Sequence, residues 1–166
     1  MDKITPIRKT EGSDFFTREL EQALLNNEID AAVHSAKDLE EELPQQLMIA
    51  ALTKSPSPYE CLVSVGNLKL SELPAGAVIG TSSANRQAAI KRFRPDLAIK
   101  DVRGDIDERI KQLDEGLYDA IIVAHAALLR LGRQDRIAEI ISPEIMEPHP
   151  LQGRLAVQIR CDRYDL

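Results

Sequence analysis

The chain has 166 residues, 43% of them hydrophobic and 29% charged, with a formal net charge of −6; that composition is globular, with no low-complexity tract that would suggest disorder, and the charge argues against a nucleic-acid-binding protein. No apolar run approaches the roughly 18 residues that a membrane span requires, and Met1 is followed by charged residues, not by a signal sequence. Cys61 and Cys161 are too few and too far apart for a disulfide scaffold or a zinc site, so the expected compartment is a reducing cytoplasm, with no metal, membrane or nucleic acid as partner.

In chain order, SDFFTRELEQALL is the first strong element. Ser13 or Asp14 is placed to cap it, and Phe16, Leu20, Ala23 and Leu24 recur at helical spacing until Asn26-Asn27 ends it. IDAAV (29–33) reads as a short buried strand. LMIAAL (47–52) and ECLVSV (60–65) are two further strands, separated by a loop carrying Pro56 and Pro58. A second unit begins near Asn67. AGAVIG (75–80) is a strand, TSS a turn, and ANRQAAIKRF (84–93) a helix stopped by Pro95; LAIKDV (97–102) is the next strand. DIDERIKQLDEG is a helix with Ile106, Ile110 and Leu113 on one face and Gly116 past its end; YDAIIVA (118–124) is a strand, and HAALLRL a helix before Gly132.

Strands alternating with helices predict parallel βαβ units in an α/β fold. The last segment, GRLAVQIR (153–160), is an alternating strand with no helix after it, placed to return the chain to the first sheet. The expectation is two α/β lobes with a crossover back: 1–66 plus 147–166 as the first, 67–146 as the second, and a cleft at the carboxyl ends of the strands.

Charge is distributed unevenly. Residues 1–66 carry 6 basic and 12 acidic side chains, a net of −6, whereas residues 86–136 carry 11 basic and 9 acidic, a net of +2. A locally basic second half suits a small anionic ligand. Thr81, Ser82 and Ser83 lie where a strand turns into a helix, and their hydroxyls with the free N–H groups there suit a carboxylate or phosphate; a plain serine N-cap is the other explanation. The P-loop glycines and lysine are missing, which argues against a nucleotide triphosphate. Arg86, Arg103, Arg109 and Arg130 fall near successive strand or helix ends, each offering a planar fork for a carboxylate.

The acidic counterpart lies in AAVHSAKDLEEELPQ. Asp38, just past a buried strand, is placed to stabilise a developing cation, and Lys37 to neutralise a substrate carboxylate; the alternative is an ordinary Lys–Asp turn at a strand exit. His34, His125 and His149 have no ligand-like spacing, and no Ser–His–Asp arrangement is evident.

The blocks FFTRELEQALLNNEIDAAVHSAKDLEEELP, LPAGAVIGTSSANRQ, RPDLAIKDVRGDIDERIKQLDEGLYDAIIVAHAALLRLG and LQGRLAVQIRC resemble porphobilinogen deaminase, also called hydroxymethylbilane synthase, in register through nearly the whole chain. The resemblance implies a cytoplasmic, monomeric transferase of heme and tetrapyrrole biosynthesis. Such an enzyme condenses four porphobilinogen units into a linear tetrapyrrole and releases ammonia at each step. It implies lobes like those of periplasmic binding proteins, and a dipyrromethane cofactor held by a thioether to a cysteine. By the same resemblance Asp38 is the catalytic carboxylate. Ser35, Lys37, Thr81, Ser82, Ser83, Arg86, Arg103, Arg109 and Arg130 contact the acetate and propionate groups, and Arg18, a substrate-binding residue, falls near a basic position of the family's mobile loop.

Against the family's pattern, Asn85 stands where the first of two adjacent arginines is expected, Asp105 where Asn follows Arg-Gly, and Glu40 where proline is usual. The first strand and helix of the first domain, and a third domain with the cofactor cysteine, are expected to be missing from this chain. Neither Cys61 nor Cys161 matches the attachment position. The expectation is therefore a partial or divergent member with little turnover by itself; the alternative is a non-catalytic two-lobe binder of small carboxylates.

Overall fold

The computed structural model describes residues 15–40 and 42–163. The capping positions Ser13 and Asp14 therefore lie outside the described residues. The chain divides into two compact units, one of residues 1–56 with 150–166 and one of residues 57–149.

The first unit is built on helix α1 (Phe15–Leu25) and strands β1 (Ala31–Ser35), β2 (Leu47–Leu52) and β8 (Leu155–Arg160). Asn27 ends the helix region in the left-handed conformation, φ 60°, which Asn tolerates better than most residues, and the Glu28 N–H reaches back to the Ala23 carbonyl. The sheet order is β1-β8-β2, both pairings antiparallel, so the last strand of the chain is the central one. Leu24 of α1 packs against Ala32 and Leu47, and the same sheet face carries His34 and Gln158. Val33 and Met48, from the alternate positions, are exposed.

The second unit contains β3 (Glu60–Ser64), β4 (Val78–Gly80), α2 (Ala84–Phe93), β5 (Ala98–Lys100), α3 (Ile106–Asp114), β6 (Ala120–Ala124), α4 (His125–Leu131) and β7 (Glu139–Ile140). Its sheet order is β5-β4-β6-β3-β7; β5, β4 and β6 are parallel, while β3 runs antiparallel between β6 and β7. The run AIIVA is apolar at every position because both faces of β6 are covered. Ala120 and Ile122 join Ile79 and Ile90 in one core; Ile121 and Val123 join Val102, Ile110, Leu113 and Leu128 in the other. The same need explains β3. Its residues, expected with the first unit, hydrogen-bond in the second sheet, where Leu62 faces one core and Cys61 and Val63 the other.

Gly80 closes β4 under tight constraint: a Cβ there would stand 2.9 Å from both Ile121 and Tyr118 side-chain atoms. Among the described residues no helix is long and apolar enough to cross a membrane.

Candidate functional site

In the first unit, β1 carries the chain to Ser35 and then into a single 3-10 turn, Ala36–Asp38. The turn is pinned from below, since the Ala36 N–H donates to the Arg154 carbonyl at 3.0 Å and Ser35 pairs with Leu155 of β8. Ala36 is buried, which leaves Lys37 and Asp38 half-buried at the strand exit. Asp38 commits its carboxylate to no hydrogen bond or ion pair with another described residue. Beneath it, Gln158 Nε2 donates to Glu21 Oε1 at 2.9 Å, so its Oε1 is left to accept from His34 Nε2 at 3.0 Å. That chain sets the imidazole tautomer as Nε2–H and ties α1, β1 and β8 together behind the turn.

Also in this unit, Gln152 sits in the turn before β8, with its carbonyl accepting from Ser55 Oγ at 2.8 Å. Its amide is 1% exposed, and neither Nε2 nor Oε1 has a hydrogen-bond partner among the described residues. Arg18 lies exposed on α1.

In the second unit, the turn after Gly80 is held together by its own hydroxyls. Ser82 Oγ donates to the Val102 carbonyl at 2.8 Å and accepts from the Val102 N–H at 3.1 Å, which locks the exit of β4 to the loop after β5. Thr81 is buried; its N–H donates to the Lys100 carbonyl, and its hydroxyl accepts from the Ser83 N–H at 3.4 Å. Ser83 caps α2, accepting from the Arg86 N–H at 3.5 Å. Gln87 adds a brace from inside the helix, donating to the Thr81 carbonyl and to Asp101.

Arg86 turns into the protein. Its Nε and Nη2 donate to the two carboxylate oxygens of Glu60 at 2.9 and 2.8 Å, and Nη1 donates to the Ile122 carbonyl at 3.1 Å. Both partners of this pair are about nine-tenths buried. Of the five N–H donors of a guanidinium, three are engaged in this way and two remain among the described residues. Asn85, beside it, is exposed.

Arg103 and Gly104 follow β5 at the adjacent strand end. Gly104 has φ 100°, and a Cβ there would strike the Glu108 side chain, so glycine is required. Its carbonyl accepts from Arg109 Nε at 2.8 Å, which curls Arg109 back towards the strand end. Burial pushes the Arg109 guanidinium below its ordinary pKa, and the neighbouring Arg86 and Arg103 push in the same direction. The three arginines thus act on one another, while Asp105 and Tyr118 pull the Arg109 pKa the other way. Arg130 is exposed in the last turn of α4.

Asp105 has a local explanation. It is the N-cap of α3, and with Glu108 it forms a capping box. Asn and Asp are about equally good in that position. The residue that sequence reasoning missed is Glu60. A carboxylate opening an otherwise apolar strand, with an arginine 26 positions on, was the available signal.

The whole chain, residues 1–166, matches the family described as "Porphobilinogen deaminase, dipyromethane cofactor binding domain". Among curated proteins named porphobilinogen deaminase, the one from Bacillus subtilis (strain 168) is 47% identical over 155 residues, 93% of this chain and 49% of its own length. That from Desulforudis audaxviator is 47% identical over 89% of this chain and 48% of its own, and that from Chromobacterium violaceum 44% over 96% and 52%. The chain thus spans about half the length of the curated relatives it matches. Among solved structures, a Bacillus subtilis lipoprotein provisionally described as methionine-binding superimposes with TM-score 0.54 at 14% identity, covering 89% of this chain and 70% of that one; it shares the fold. On the match across all its residues, the chain belongs to the porphobilinogen deaminase family.

Proposed function

We propose that this chain forms the porphobilinogen-handling part of a hydroxymethylbilane synthase, the transferase that joins porphobilinogen units into a linear tetrapyrrole with loss of ammonia. The family match over residues 1–166 carries the reading. The site chemistry supports it: an uncommitted carboxylate at one strand exit, and clustered arginines with a capped helix N-terminus at others.

Asp38 is the catalytic carboxylate in this proposal. Held on a short turn whose base is hydrogen-bonded to β8, it needs little reorganisation when positive charge develops on a pyrrole as ammonia departs. Ser35 and Lys37 hold acidic side chains of the ligand beside it. Thr81, Ser82 and Ser83 shape a second carboxylate site, with Arg103, Arg109 and Arg130 supplying charge and Arg86 its two remaining N–H groups. Arg18 is a further substrate contact.

The residues present fit a dipyrromethane group. Arg109, depressed by burial and by its two cationic neighbours, marks accumulated positive charge that acetate and propionate groups would relieve. When bound, such a group supplies the primer to which new units are joined. Cys61 presents no attachment thiol, since it is buried and donates to the Val123 carbonyl in the core, and Cys161 does not match the family's attachment position.

The test is calorimetric titration of the 166-residue chain with porphobilinogen. Saturable binding that is weakened by Arg103→Leu is expected. Absence of binding overturns the proposal.

A further inference from the structure

We infer that Glu60 is a positioning residue for the carboxylate site, acting through Arg86. The inference rests on the proposed function and goes beyond it by naming a residue that does not itself touch the ligand.

Glu60 is the first residue of β3 and pairs with Ala124, the last residue of β6. Its two carboxylate oxygens receive Nε and Nη2 of Arg86, so the guanidinium plane and its edge are both set. The Ile122 carbonyl takes a third donor. Arg86 also supplies the N–H that Ser83 accepts at the start of α2, so one residue couples the helix cap to the floor of the sheet.

Arg86, Arg103 and Arg109 raise the local potential together. Without a fixed partner, a guanidinium in that field would swing away from its cationic neighbours towards solvent. Glu60 prevents this. It fixes which two N–H groups of Arg86 stay uncommitted, and it lowers the repulsion that three clustered cations would otherwise exert on one another. Glu60 does this from a buried position, where its own charge is matched by Arg86 and does not repel an incoming carboxylate as an exposed acid would.

The experiment is porphobilinogen titration of the chain carrying Glu60→Gln, Glu60→Asp or Arg86→Lys, and of the Glu60→Gln/Arg86→Lys pair. Circular dichroism and melting of each are recorded in parallel. The expected result is an affinity loss of about tenfold for Glu60→Gln and about threefold for Glu60→Asp, which keeps the charge but draws the guanidinium back by one methylene. In the Arg86→Lys background, where no fork remains to be oriented, Glu60→Gln should change affinity by less than about twofold. A purely structural role would lower melting temperature without this dependence on Arg86. If Glu60→Gln does not fold, Glu60→Asp carries the test. Wild-type affinity in the folded Glu60 variants, or an equal loss in both backgrounds, overturns the inference alone; failure of the wild-type chain to bind overturns the proposed function with it.

Discussion

Asp105 and Glu108 bond to each other's backbone: the Asp105 carboxylate accepts from the Glu108 N–H at 2.8 Å, and the Glu108 carboxylate accepts from the Asp105 N–H at 3.0 Å. The box starts α3 immediately after the Arg103-Gly104 strand exit, so it sets where Arg109 emerges one turn later. Asp105→Asn keeps the cap and should leave stability within about 0.5 kcal/mol, whereas Asp105→Ala should cost about 1 kcal/mol in urea unfolding. The departure from the family's usual Asn is then a substitution of one capping residue for another.

Cys61 illustrates what burial does to a thiol. Its side chain is fully buried between β3 and the helices behind it, and burial, aided by Glu60, pushes its pKa from 9.0 up to about 12. Because the folded value is the higher one, the folded state holds the proton more tightly. The associated stability is fully present below pH 9 and is lost as pH rises from about 9 towards 12. At pH 8 a thiol reagent should modify Cys161 and spare Cys61 until denaturant is added. Unfolding measured between pH 9 and 11 should fall less steeply in Cys61→Ala than in the wild type.

Most of the second unit is written in its periodicity. ANRQAAIKRF is helical over the expected residues, and the helices ending before Gly116 and Gly132 stop where left-handed glycines allow the chain to turn. Such features are local, and local propensity reports them. Strand partnership is not local: nothing in ECLVS says that its neighbours are AIIVA and the two-residue β7, which is too short to show a period. The strand exit at Ser35 was legible because an apolar run gives way to polar residues there. The burial of Arg86 was not, because its partner lies 26 residues earlier and joins it only through tertiary packing.

Gln152 offers a stability test. Its amide is buried, and its two polar atoms have no hydrogen-bond partner among the described residues, a condition that costs about 1–3 kcal/mol. Its backbone carbonyl, by contrast, is held by Ser55, so the turn does not depend on the side chain. Gln152→Met keeps the length and removes both polar atoms. It should raise the unfolding free energy by about 1 kcal/mol, read as a higher urea midpoint at unchanged slope. A lower midpoint would mean that the amide is satisfied in solution.

Asp38 is where binding and turnover should part. A carboxylate that acts on charge appearing only as ammonia leaves contributes to the transition state and little to the ground state. In the proposed function, Ser35, Lys37 and the arginines meet carboxylates that are charged throughout, so their loss should weaken binding first. In a full-length enzyme carrying these residues, Asp38→Ala should therefore lower porphobilinogen turnover by about 10²–10³-fold, the usual loss for one preorganised electrostatic partner, while affinity stays within about twofold. Lys37→Ala should show the opposite balance, with affinity falling more than the rate constant at saturation. Equal loss of affinity and turnover in Asp38→Ala would make Asp38 a ligand contact and not the group that stabilises the developing cation.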